Sequence, residues 1–486
     1  VRFGFCGPSY TVQSPSIADE ECINFFLQTN ESQGGIVAKK VYGGNTANSL
    51  LALIYTPGIS VFATLPQGPV RGQFLNEGRY FAIGGDSLYE VSSAGAATLR
   101  GVVGNDGRPI SFANSQIQTL IVSAGRAFCF TLATNALKEV TDQLAGPALQ
   151  CEYSDGFGII AIQNSNKFQF SNPLDFTTWP GLQVNEVSVF SENIASIICN
   201  HRELWIFGSK HYQPYQDTGS AELFDVIPGA MIETGCGATF APCRADNSVF
   251  WVDQSERGAW SCWRSSGYTP VRISTHAVEV ALTSYANSAQ MVSYAYQDAG
   301  HTFWVLYIPG APCSWVFDIA EGLWHKRCSW VNGKFGPHFS WNHCFAFGMH
   351  LVGDWNSPNI YQLSGANLTD NGATIRRVRR APTILDEMKW MRHAQMVVDI
   401  DTGLGPQPPL LDGLFNPRAP QAILRWSDDR GHTFGNDHVA NCGQAGQFKV
   451  RAIWRRLGRS RYRVYELVVT DPIPWYITDA YLEMAP

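Results

Sequence analysis

The sequence predicts an all-β protein: a six- or seven-bladed β-propeller followed by a C-terminal β-sandwich-like domain. The first observation is a recurring unit of apolar strand, Gly/Asn/Asp/Ser turn and second apolar or aromatic strand. It occurs at residues 79–91 (RYFAIGGDSLYEV), 117–132, 158–171, 204–216, 249–263, 301–319 and 344–364, with starts 38 to 52 residues apart. That spacing fits propeller blades, small sheets that bury their faces only by stacking on their neighbours. The second observation is composition: 13% aromatic residues, 45 Gly and 26 Pro against 16% charged residues, which suits pleated strands joined by tight turns. The third is the lack of sustained helical periodicity. The best helical stretch, 383–395, covers only a few turns.

Taken in order along the chain, residues 1–49 form an N-terminal segment that could complete the C-terminal domain, 50–370 the propeller and 371–486 the C-terminal β domain. Val1 stands at the start with no apolar signal core behind it, which gives the expectation of a cytosolic product. No run approaches the roughly 18 apolar residues that span a bilayer, so membrane insertion is not expected. The 12 cysteines lack CxxC pairs and mostly lie in or beside apolar runs, as Cys129, Cys199 and Cys344 do, and read as buried thiols.

Charge changes sign near Asn371. Residues 371–486 carry 16 Lys/Arg against 12 Asp/Glu, leaving 19 against 29 before them. Arg376, Arg377, Arg379 and Arg380 follow the step, and Arg451, Arg455, Arg456, Arg459, Arg461 and Arg463 come later. In a strand, Arg459, Arg461 and Arg463 would share one face. Such stripes suit an acidic protein or nucleic acid, or else a solvated surface. A net charge of −6 argues against a broadly basic nucleic-acid reader.

Ser427, Asp429, Gly431, Thr433 and Phe434 match the Asp-box pattern S-x-D-x-G-x-T-[WF]. Its Ser, Asp and Thr oxygens can brace a hairpin turn while Gly supplies a strained dihedral. The expected role is structural. Between 396–401 and 422–427 lies an excursion dense in Pro and Gly, 402–421 (TGLGPQPPLLDGLFNPRAPQ), whose Leu404, Leu410, Leu411, Leu414 and Phe415 are expected to be exposed at a docking tip, or else packed on their own domain.

No HExxH, GxSxG, Walker loop or strand-linked GxGxxG is present. The cluster His338, His343, Cys344 and His350 sits in an alternating aromatic stretch and reads as core and turn rather than metal ligands. The sequence therefore predicts no catalytic residue, metal site or cofactor.

Several stretches carry a resemblance: TPGISVF (56–62), VRGQF (70–74), IGGDSLYEV (83–91), FSNPLDFTTWPG (170–181), IPGAMIETGC (227–236), VFWVDQSERG (249–258) and PVRISTHAVE (270–279). In this order they resemble the nozzle, or packaged-DNA stabilisation, proteins of short-tailed bacteriophages. RWSDDRGHTF and the run 443–474 are similar to the last domain of related phage tail and head-closure proteins. The resemblance implies a virion tail protein, a ring of usually six copies below the head–tail adaptor. It also implies passage and retention of double-stranded DNA, and docking of tail fibres or spikes and of a needle. Arg376, Arg377, Arg379, Arg380, Leu410, Leu411, Leu414 and Phe415 are then the candidate interface. The alternative from another class is a glycan hydrolase or lectin of sialidase type, favoured by the Asp-box and the propeller but lacking an arginine-rich propeller centre.

Overall fold

Each recurrent unit forms the two middle strands of a four-stranded antiparallel sheet. The computed structural model describes residues 5–10, 20–29, 51–141, 144–219, 223–406, 409–412 and 417–485. Seven blades follow in chain order: 70–102, 111–139, 148–186, 196–226, 243–272, 292–331 and 340–364. The seventh takes its outer strand from Gly58–Thr64, which pairs with Asn359–Ser364 and so closes the ring with residues from before the first blade.

Middle strands are largely apolar and buried because a neighbouring blade covers each face. Gln118–Ser123 is buried throughout, whereas the outer strand Ala97–Val102 is largely exposed. Apolar clusters fill the gaps between blades. Phe74, Phe81 and Ile83 meet Ile121 and Phe128 between the first two, and Ile198, Trp205 and Phe207 meet Val249 and Trp251 between the fourth and fifth. Leu351 and Ile360 meet Tyr80 and Ala82 where the seventh blade returns to the first. The first hairpin of most blades turns through two residues of positive φ, as Asp155 (47°) and Gly156 (96°) do. That geometry matches the twist of the flanking strands.

The sixth blade does not end at its fourth strand. Leu323–Val331 pairs in parallel with Glu21–Ile23, which pairs antiparallel with Arg377–Arg380. The sheet continues through Tyr462–Val469 and Gln421–Ser427 to His438–Asn441. A second sheet of Phe25–Thr29, Leu51–Tyr55, Tyr476–Ala485, Met391–Ile400, Ala452–Arg455 and Arg459–Ser460 covers it. Met396, Val398, Leu424, Leu467, Trp475 and Leu482 fill the space between and run without a break into Phe250, Trp304 and Trp324 of the propeller.

One expectation is corrected here. The stretch 383–395 is not helical: it forms Ile384–Leu385 and the start of Met391–Ile400, with Met391, His393 and Met396 buried. The α-helix among the described residues is His276–Ser284 instead, capped by Thr275 and packed on the fifth blade. All twelve cysteines are thiols, and all but Cys243 are buried.

Candidate functional site

The Asp-box caps the hairpin after Gln421–Ser427. Ser427 Oγ accepts the Gly431 N–H at 2.8 Å, and Asp429 accepts the Thr433 N–H at 2.9 Å and its hydroxyl at 2.5 Å. The Ser427 hydroxyl, which donates to Asp429 in turn, together with the Thr433 hydroxyl and N–H, holds the Asp429 carboxyl well below the usual carboxylate range. Asp429 is exposed, so its bonds compete with water and brace the turn without anchoring the core. Phe434 lies beneath the Arg380 guanidinium, 4.6 Å from its ring centre. Asp428 grips the buried Arg463 through two bonds of 2.7 and 2.8 Å.

The four arginines after the charge step separate. Arg377 and Arg379 were expected at a docking surface, and both are 0% exposed. The two share a face of their strand that is closed by Tyr55 and the N-terminal segment, while Val378 between them enters the core. Arg379 donates to the Phe5 and Gly7 carbonyls, each at 2.7 Å, and to the Ser9 hydroxyl, clamping the N-terminal turn. Arg377 stacks over Tyr55, and burial pulls its guanidinium down to about 10. Arg380 pairs with Glu466 at 2.8 Å, and Arg376 covers Trp330 at 4.8 Å; both are half-buried. Arg463 also leaves the expected stripe for the interior, since its strand turns it onto Asp428.

In the excursion 402–421, Leu410–Leu411 pairs with Pro417–Arg418 as a small hairpin, with Leu411 52% exposed. Leu404 and Leu410 are half-buried. Leu414 and Phe415 lie outside the described residues.

Sequence reasoning missed a face centred on Trp390, which is 58% exposed with the Arg459 and Arg461 guanidiniums 5.1 and 5.0 Å from its ring centre. Arg392 lies directly across from Arg459, and Arg455 across from Gln395. Nothing in the sequence placed these segments side by side, because residues near 390 and 460 meet only through sheet pairing.

A cavity of ≈ 780 Å³ opens among the fourth to seventh blades, lined in part by His201, Arg244, Tyr296, Phe345, His343 and His350. His343 Nε2 and His350 Nδ1 stand 3.0 Å apart. Burial, then the neighbouring His350, pushes the His343 imidazole down to about 3. Arg244 binds the Cys199 carbonyl at 2.9 Å and faces Glu152 at 3.8 Å. It is the arginine of this lining, where a sialidase-like site would gather several. His338 and Cys344 are buried in the blades. Among the described residues no three His, Cys, Asp or Glu side chains are grouped to hold a metal ion.

A family model described as Bacteriophage P22 Gp10, beta-propeller matches residues 44–367, and a second, Bacteriophage P22 Gp10, beta-sandwich, matches residues 376–485. The chain belongs to the bacteriophage P22 Gp10 family. Membership makes it a structural tail protein of the virion, built to assemble with other virion components. It also agrees with the resemblance to tail nozzle proteins read from the sequence. No curated protein matches in sequence. Among solved structures, the β-propeller domain of Cps50 (Swd1) from Myceliophteria thermophila is 9% identical with a TM-score of 0.42, covering 63% of this chain and 99% of that one. YCF48 bound to D1 peptide is 13% identical at 0.41, covering 65% and 99%. The N-terminal domain of Nup159 is 8% identical at 0.39, covering 64% and 95%. Likeness at that level adds nothing to what the Gp10 family match gives.

Proposed function

We propose that this chain is the subunit of a tail nozzle: a homo-oligomeric ring of six copies below the head–tail adaptor. It carries the genome outward, retains it after packaging, and offers docking surface to fibres or spikes and to a needle. The observation that carries this reading is the match of both Gp10 domains, in order, along nearly the whole chain. The single sheet that runs from the sixth blade into the sandwich supports it. A conduit under pressure benefits from domains that cannot swing, and large continuous cores resist such motion. The reading includes no catalysis, cofactor or metal.

The test is to count subunits of the purified chain by native mass, alone and with its adaptor, and to assay DNA retention in particles made without it. A six-copy ring and particles that lose DNA are expected. A chain that stays monomeric on the adaptor, or DNA-filled particles stable without it, would overturn the proposal.

A further inference from the structure

We infer that the Trp390 face of the sandwich is a contact surface for the phosphate backbone of double-stranded DNA. This rests on the conduit reading and names the residues that would touch the genome. Arg392, Arg430, Arg455, Arg456, Arg459 and Arg461 are all exposed, and none forms an ion pair among the described residues. The nearby acids are otherwise placed. Glu387 is held by Lys389 at 2.9 Å, and Glu483 lies across Gln395 on the strand beyond.

The arrangement is costly for a bare surface. Arg392 and Arg459 are cross-strand partners, a pairing of like charges that destabilises a sheet unless an anion lies over it. Arg459 and Arg461 both stack on the Trp390 ring, and Arg430 lies 4.8 Å over Tyr462. Aromatic stacking fixes the guanidinium planes while leaving their N–H edges free, the geometry in which arginine grips phosphate oxygens bidentately.

An acidic protein is the weaker fit. Protein interfaces centre on a buried apolar anchor with charges at the rim. Here the central aromatic, Trp390, is itself overlaid by the Arg459 and Arg461 guanidiniums, and of the other exposed apolar groups Met388 already receives the Tyr462 hydroxyl at 2.5 Å. A polyanion of even charge density satisfies six unpaired cations without any side-chain complementarity, and binding releases counterions at each contact.

The experiment measures binding of the full chain to a mixed-sequence duplex of about 30 base pairs across a salt series, with polyglutamate as the acidic-protein probe. R459Q/R461Q and R392Q/R455Q are compared with R126Q/R202Q, which removes the same charge from propeller arginines paired to Glu139 and Asp155. Melting temperatures establish that each variant is folded. Expected is a drop of about tenfold in duplex affinity for each sandwich pair, with the log–log salt slope shallower by about 2, and no change for the propeller pair. Duplex binding that all variants share equally would overturn this surface while leaving the conduit reading intact. A wild-type chain that ignores duplex at 50 mM salt would overturn both. Loss of polyglutamate binding alone would assign the face to a protein.

Discussion

Arg379 turns what the sequence offers as a surface charge into an internal clamp. It is buried against the carbonyls of Phe5 and Gly7 and the Ser9 hydroxyl, with Glu20 close enough to feel its charge. Arg379→Met should therefore cost about 3–5 kcal/mol in urea unfolding, because two carbonyls and a hydroxyl lose their donor and Glu20 loses its neighbouring positive charge together. A shift in midpoint no larger than that of an exposed arginine such as Arg455→Met would refute the clamp. His343 gives a residue-scale prediction in pH. Its folded pKa, about 3, lies below the ordinary 6.5, so the unfolded chain takes up the proton first. Stability attributable to this group is complete above 6.5 and falls as pH drops towards 3. His343→Asn should flatten the decline of melting temperature across that window, and an unchanged slope would place the acid sensitivity elsewhere.

The element on which the ring depends is the closing strand Gly58–Thr64. A Cβ on Gly58 would lie 2.4 Å from the Thr369 carbonyl oxygen and 2.6 Å from that of Asn367, both backbone atoms that cannot step aside. Gly58→Ala should cost about 1–3 kcal/mol by overpacking, whereas Gly365→Ala, whose nearest neighbour is the Tyr55 hydroxyl at 3.9 Å, should be close to neutral. Equal melting temperatures for the two variants would mean that closure does not depend on this approach. The seven blades were legible in the sequence because their middle strands are apolar on both faces. The closing strand was not, since its partner lies some 300 residues away and nothing local marks the pairing. The stretch 383–395 misled because its apolar residues also fit a few helical turns, whereas sheet pairing buries Met391, His393 and Met396 on one face. The arginine row misled for a related reason. A charge run reads as solvated surface, and only the fold supplies the carbonyls and the Tyr55 ring that make its burial tolerable.

At the scale of the whole molecule, propeller and sandwich are joined by shared backbone pairing and a shared core rather than by a linker. Asn24 sits at the junction, 1% exposed and at φ 57°. Its amide donates to the Cys328 carbonyl of the sixth blade at 2.9 Å and to the Arg376 carbonyl leading into the sandwich at 2.8 Å, and its oxygen accepts the Cys328 N–H at 2.8 Å. Chains of this length ordinarily unfold in separate domain steps. With one sheet crossing the boundary, neither half can melt without exposing the other's edge, so calorimetry should show a single transition for the intact chain. Asn24→Gly keeps the left-handed backbone but removes all three side-chain bonds, leaving buried backbone groups unsatisfied at about 1–3 kcal/mol each. It should split the transition in two, with near-ultraviolet dichroism of the propeller tryptophans following one step. Two transitions in the intact chain would show that the halves are only neighbours, and the rigid coupling invoked for the conduit would then have to come from contacts between subunits.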